Sequence, residues 1–231
     1  MVVIKAYLKS IISLIVITIL AIFAIIFLKN DNYMIVSVLA AFISCIPFFT
    51  SFEKNVNTSR EIVIIAVMVA LAVAGRFVFA LIPHFKPVTA LVIITGMYFG
   101  VDAGFMTGSL TALISNMQYG QGPWTVFQVA VWGLIGFTAG ALNKKGLLQK
   151  NRFLLFVFSA LCGIIYSLIM DIYTTISTDS TFVVAKYISY VLFSLPIMVE
   201  YVVSNVVFIA LLEKPIGKKL QRIKTKYGLF Q

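Results

Sequence analysis

Residues 87–118 read PVTALVIITGMYFGVDAGFMTGSLTALISNMQ. As one helix this stretch measures about 48 Å at ~1.5 Å per residue, too long for a hydrocarbon core of ~30 Å. Broken near Val101 and Asp102 it becomes two short helices, 87–100 and 103–118, and Asp102 falls at an interface instead of in lipid. Gly96, Gly100, Gly104 and Gly108 keep a four-residue spacing across the break, and Gly136 and Gly140 repeat it further on. Small residues at that spacing let helix backbones approach closely in a membrane, so these glycines predict tight packing within one bundle.

The rest of the chain agrees. Of its 231 residues 61% are hydrophobic and 11% charged, against roughly a quarter charged in a soluble domain. Apolar runs near twenty residues recur at 8–28, 33–50, 61–83, 124–142, 153–173 and 183–212. With the two short helices they make eight spans, an all-α polytopic membrane protein. The formal net charge of +10 does not point to nucleic acid, because its placement follows the positive-inside rule. Eight spans put fourteen of the 18 Lys and Arg on one side: Lys5, Lys9, Lys54, Arg60, Lys144, Lys145, Lys150, Arg152, Lys214, Lys218, Lys219, Arg222, Lys224 and Lys226. Both termini are thus expected in the cytoplasm of a multi-pass cell-membrane protein. The first run, 11–28, lacks a small-x-small cleavage site before Lys29 and reads as a retained helix.

Composition divides the chain into an N-terminal hairpin of two helices over 1–50, a polar linker over 51–59, and a six-helix bundle over 60–231 that ends in a basic cytoplasmic tail. The hairpin has almost no polar group within its spans, so function is expected in 60–231. No internal repeat is visible. Cys45 and Cys162 lie in apolar runs and read as small buried hydrophobes. With His84 as the single histidine, no zinc site is expected. The sequence has no G-x-x-x-x-G-K-[ST], H-E-x-x-H or G-x-S-x-G, so it reads as no enzyme and calls for no cofactor.

Candidate site residues lie toward the outer side. Ile82-Pro83-His84-Phe85-Lys86-Pro87 joins two helices, its prolines stopping one and starting the next. Between the fifth and sixth spans lies Ser115-Asn116-Met117-Gln118-Tyr119-Gly120-Gln121-Gly122-Pro123-Trp124-Thr125, rich in amides, with Pro123 suited to a first helical position. Trp124, Gln128 and Trp132 then share one helix face at i, i+4 and i+8. Amides give neutral donors and acceptors and indoles give flat stacking surface, a combination suited to a small planar or amphipathic ligand. Amide caps and an interfacial tryptophan belt are the plainer reading.

Intramembrane charges default to functional hypotheses. Arg76 has three options: to snorkel outward, to pair with Asp171, or to hold an anionic ligand group. Glu200 lies deeper, beside Tyr201, Ser204 and Asn205, and is expected as a protonated or hydrogen-bonded carboxyl. Pro196 is placed to kink its helix. Ala66, Ala70 and Ala74 form a smooth stripe, for packing inside the bundle or for docking another membrane subunit.

Together these residues resemble the substrate-binding S components of energy-coupling factor (ECF) vitamin transporters, over roughly 60–231. The likeness lies in the alanine stripe, the short second and third helices and the basic C-terminus. The block from Ser115-Asn116 through Gly120-Gln121-Gly122-Pro123-Trp124-Thr125 to Gln128 and Trp132 to Gly136 resembles the cobalamin or cobalamin-precursor branch. The resemblance implies a vitamin captured from outside by Asn116, Gln118, Gln121, Trp124, Gln128 and Trp132, with Arg76, His84 and Lys86 at the rim. It also implies a membrane T subunit docked on Ala66, Ala70 and Ala74, and two cytosolic ATPases that power uptake in trans. Alternatives are the same architecture for riboflavin or a queuosine precursor, an intramembrane enzyme using Asp171 and Glu200, or a regulatory membrane protein.

Overall fold

The structure, a computed structural model, describes residues 59–179 and 182–229. The expected hairpin over 1–50 and nearly all of the linker lie outside these residues. Seven helices run through the described part: α1 (Ser59–Val78), α2 (Val88–Phe99), α3 (Val101–Tyr119), α4 (Trp124–Asn143), the one-turn α5 (Leu147–Lys150), α6 (Arg152–Asp179) and α7 (Val184–Tyr227). Helices α1, α4, α6 and α7 are long and apolar enough to cross a membrane. The protein is an all-helical, polytopic membrane bundle.

The break in 87–118 falls at Gly100, one residue before the expected place. Gly100 has φ 94°, a conformation open to glycine at little cost, and its N–H still reaches the Gly96 carbonyl at 2.9 Å. Helix α2 spans 12 residues and buries every one except Tyr98. It forms the axis of the bundle, touching α1, α3, α4, α6 and α7. A helix that short, apolar on all sides, is stable in a membrane protein only when other helices surround it.

The closest packing joins α3 to α4, through main chain. A Cβ on Gly104 would meet the Gly136 carbonyl, and one on Gly136 would meet the Gly104 carbonyl. A Cβ on Gly96 would strike the Gly136 oxygen, and one on Gly108 the Trp132 carbonyl. In α6, a Cβ on Gly163 would stand 2.9 Å from the Val202 nitrogen of α7. Because lipid tails are as apolar as leucine, close packing of this kind, not burial from water, holds the helices together.

Two features depart from the sequence reading. Pro123 occupies the N-cap of α4 with φ −56° and ψ −30°, one residue before the helix starts. The basic C-terminal tail is helical: α7 runs 44 residues, about 66 Å at ~1.5 Å per residue. Leu212, Ile216, Leu220 and Ile223 keep a helical apolar spacing past the span, and Leu220 is buried in the bundle.

Candidate functional site

A cavity of about 320 Å³ opens where the connection between α1 and α2 meets α4, α6 and α7. Its floor is built from α1, α3 and α4. Arg76, near the end of α1, donates from Nη1 to Ser115 Oγ and to Asn116 Oδ1, the latter at 2.8 Å. Its guanidinium also lies over the rings of Tyr119 (4.6 Å) and Trp132 (5.4 Å). Arginine has donors only, so Asn116 must turn its oxygen toward Arg76 and its nitrogen away. Nδ2 of Asn116 then donates to Thr125 Oγ1 at 3.0 Å and to Gln128 Oε1 at 2.7 Å. That contact fixes the next amide: Nε2 of Gln128 faces Tyr166 and donates to its hydroxyl at 3.1 Å.

Aromatic rings form the walls. Trp132 stacks on Tyr166, with centroids 5.3 Å apart and planes 23° apart, and its indole N–H donates to Thr89 Oγ1. Tyr166 meets Tyr201 edge-on at 5.0 Å. His84 Nδ1 lies 3.1 Å from the Tyr201 hydroxyl, which ties the outer connection to α7.

The rim is held by that same connection, residues 79–87. His84 takes φ 53°, the left-handed region. The Lys86 N–H donates to Ser204 Oγ, and the Ser204 hydroxyl donates back to the Lys86 carbonyl. Lys86 Nζ donates to the Phe79 and Ile82 carbonyls, the place where a cation complements a helix C-terminus. Partial burial, and then the Arg76 charge, lower the Lys86 ammonium below the usual lysine range. The lining includes Arg76, His84 and Lys86 and no carboxylate. It therefore offers mostly hydrogen-bond donors between flat aromatic faces.

Of the nine residues expected to bind ligand, Arg76, His84, Lys86, Gln128 and Trp132 line the cavity. Asn116 is fully buried and sits behind it, joining Arg76 to Gln128. The other three are elsewhere. Gln118 is exposed. Gln121 closes the end of α3, its Nε2 donating to the Leu113 carbonyl and its Oε1 accepting from Thr125. Trp124 packs over Gly122 and edge-on to Tyr173. One helix face at i, i+4 and i+8 spans about 12 Å at ~1.5 Å per residue, so its first member lies beyond a cavity of this size.

Sequence reasoning missed Tyr119 and Tyr166, and it gave Tyr201 and Asn205 to the surroundings of Glu200. All four line the cavity, and Glu200 is exposed instead. The available signal was a polar-tipped aromatic inside an apolar run, which needs a partner for its hydroxyl. Asp171 is buried and accepts from Ser194 Oγ at 2.6 Å. Arg76 bonds Ser115 and Asn116 and does not pair with Asp171, and Glu200 is exposed where Asp171 is buried. On the outside of α1, Ala66, Ala70 and Ala74 are exposed and line an apolar groove of about 390 Å³ with Phe77, Leu110 and Ile114.

A family model described as ECF-type riboflavin transporter, S component, matches residues 56–222. No curated protein and no solved structure matches the chain.

Proposed function

The chain belongs to the family of S components of ECF-type riboflavin transporters, and on that premise we propose that it captures riboflavin in the Arg76–Gln128–Trp132 cavity for uptake driven by separate subunits. The family is one of transporter subunits, not enzymes. The observation that carries the choice of vitamin is the match of a donor-rich, ring-walled cavity of about 320 Å³ to a flat tricyclic ligand with a carbonyl-rich edge. The volume lies at the low end of the ~300–1,000 Å³ usual for ligand pockets. A corrinoid is far bulkier than this space, and the family that matches is described by riboflavin, so riboflavin, the alternative in the sequence reading, displaces cobalamin and its precursors as the leading substrate.

In this reading the isoalloxazine ring slides against the Trp132–Tyr166 pair, and its dione edge accepts from Arg76 and from the free N–H of Gln128. Lys86 and His84 stand at the mouth, near the ribityl hydroxyls. The exposed groove of Ala66, Ala70 and Ala74 suits a partner helix packing at close range, which supports it as the docking face for a membrane T subunit coupled to cytosolic ATPases. Both chain ends are then cytoplasmic and the cavity faces outward.

Riboflavin is fluorescent, so the test is direct. Purified chain titrated into riboflavin should quench the fluorescence saturably, and its Tm should rise with riboflavin but not with cobalamin or a queuosine precursor. A Tm rise with cobalamin alone would restore the other branch of the family.

A further inference from the structure

The geometry points to a second ligand site at the other end of α2: an anionic phospholipid headgroup held in the cleft between α5 and the basic end of α7. The cleft, about 580 Å³, is lined by Tyr98, Gln149, Glu213, Lys218, Gln221 and Arg222. The riboflavin cavity touches α2 at Val88 and Thr89, whereas the cleft touches it at Tyr98. The two are therefore separate sites.

Three observations carry the assignment. First, the cations are held in place. The Tyr98 ring lies against Gly217, Lys224 Nζ donates to the Tyr98 carbonyl at 2.9 Å, and Leu220 and Leu229 are buried. The basic end of α7 is thus docked onto the bundle as a helix.

Second, the cleft carries net positive charge. Glu213 is its one carboxylate, and it accepts from the Tyr98 hydroxyl at 3.0 Å and stands 4.0 Å from Arg152. Lys218 and Arg222 are exposed and have no ion-pair partner among the described residues. Residues 214–226 hold six cations and no acid.

Third, the cleft lies on the boundary between apolar and charged surface. Leu211 of α7 is 62% exposed and precedes Lys218 by seven residues and Arg222 by eleven, which puts all three on one face of the helix, and Phe153 of α6, next to Arg152, is 75% exposed. Leu147 of α5 is also exposed, two residues before Gln149. A phosphate with acyl chains meets both surfaces, the phosphate on Lys218 and Arg222 and the chains along Leu211 and Phe153. A soluble anion uses only the first. Basic pockets between membrane helices hold anionic headgroups by this chemistry.

The test uses the full chain in neutral detergent and reads Tm with added phosphatidylglycerol, phosphatidylcholine of the same acyl chains, or free glycerol phosphate. Phosphatidylglycerol is expected to raise Tm while the other two do not. Lys218→Gln with Arg222→Gln should lose that rise. Lys145→Gln with Arg60→Gln, an equal loss of charge at exposed positions on other elements and outside the cleft, should keep it. Equal loss in both double variants would reduce the effect to diffuse charge and overturn the site. A full rise with glycerol phosphate would make it a soluble-anion site, and no rise with phosphatidylglycerol would leave the cations to a protein partner. Should the double variant be unstable, Arg222→Gln alone serves. Riboflavin quenching in the same samples is expected unchanged in all variants, so failure of either site is read apart from the other.

Discussion

Asn116 is the residue whose replacement tests the riboflavin site most sharply. It touches no cavity space, yet it sets which atoms the cavity presents. In Asn116→Leu, Arg76 loses one acceptor but keeps Ser115 and two ring faces. Thr125 keeps its contacts with Gln121 and the Gly122 N–H. Gln128 Oε1 loses the Asn116 donor and is buried without it. An orphaned buried acceptor costs about 1–3 kcal/mol, while hydrogen bonds between membrane helices average nearer ~0.6 kcal/mol. A loss of about 1–3 kcal/mol in stability is expected, visible in Tm. Asn116→Asp is the sharper probe. Its carboxylate still accepts from Arg76, so the bundle should keep most of its stability, but it cannot donate to Gln128. The Gln128 amide then turns its N–H toward Asp and its carbonyl into the cavity. One lost hydrogen bond to the flavin edge, about 1.4 kcal/mol, is a tenfold weaker Kd. Fluorescence titration reads Kd and thermal unfolding reads stability on the same sample. Native Kd in Asn116→Asp would refute the idea that Asn116 orients Gln128 for the ligand.

Three further outcomes are expected. Ala70→Leu, at an exposed position of the groove, should leave riboflavin binding by the isolated chain intact and abolish uptake in cells that supply the other subunits; equal loss of both would place the stripe inside the fold. Gly136→Ala puts a methyl against the Gly104 carbonyl and should cost about 1–3 kcal/mol as overpacking, read as a Tm fall of roughly 2–4 °C per kcal/mol for a chain of this size. Lys86 has its ammonium lowered in the folded state, so between that value and the ordinary 10.5 the unfolded chain binds more protons, and stability rises with pH across that window. Lys86→Met removes this increment, so the Tm of the native chain minus that of the variant should rise as pH approaches 10.5 from below; a flat or opposite trend would show that burial and Arg76 do not govern Lys86.

The helix break was legible because length alone forbids one helix over 87–118, and only Gly100 in that stretch takes a positive φ. Gln128 and Trp132 were legible from their shared helix face. Arg76 was legible as a costly charge, but its choice among three partners is a matter of tertiary placement, and Ser115 and Asn116 carry no sequence mark that pairs them with it. Tyr166 and Tyr201 lie in the long apolar helices α6 and α7 beside other tyrosines, Tyr173 in α6 and Tyr187 and Tyr190 in α7, and spacing does not mark which of them faces the cavity. Gln121 and Trp124 misled because an amide or indole at a turn looks alike whether it caps a helix or meets a ligand. The helical tail was hidden by its charge, although Leu212, Ile216, Leu220 and Ile223 kept a helical period.

The glycine contact between α3 and α4 constrains how this protein can diversify. Where two side chains meet, evolution can exchange sizes, one growing as the other shrinks. At Gly104 and Gly136 each residue meets the other's carbonyl, and a carbonyl cannot be traded for a smaller one. A side chain at either position therefore requires the two helices to move apart. Thr89, Tyr119 and Tyr201, by contrast, line the cavity away from that contact. A scaffold built this way can alter what it captures residue by residue while its frame stays the same.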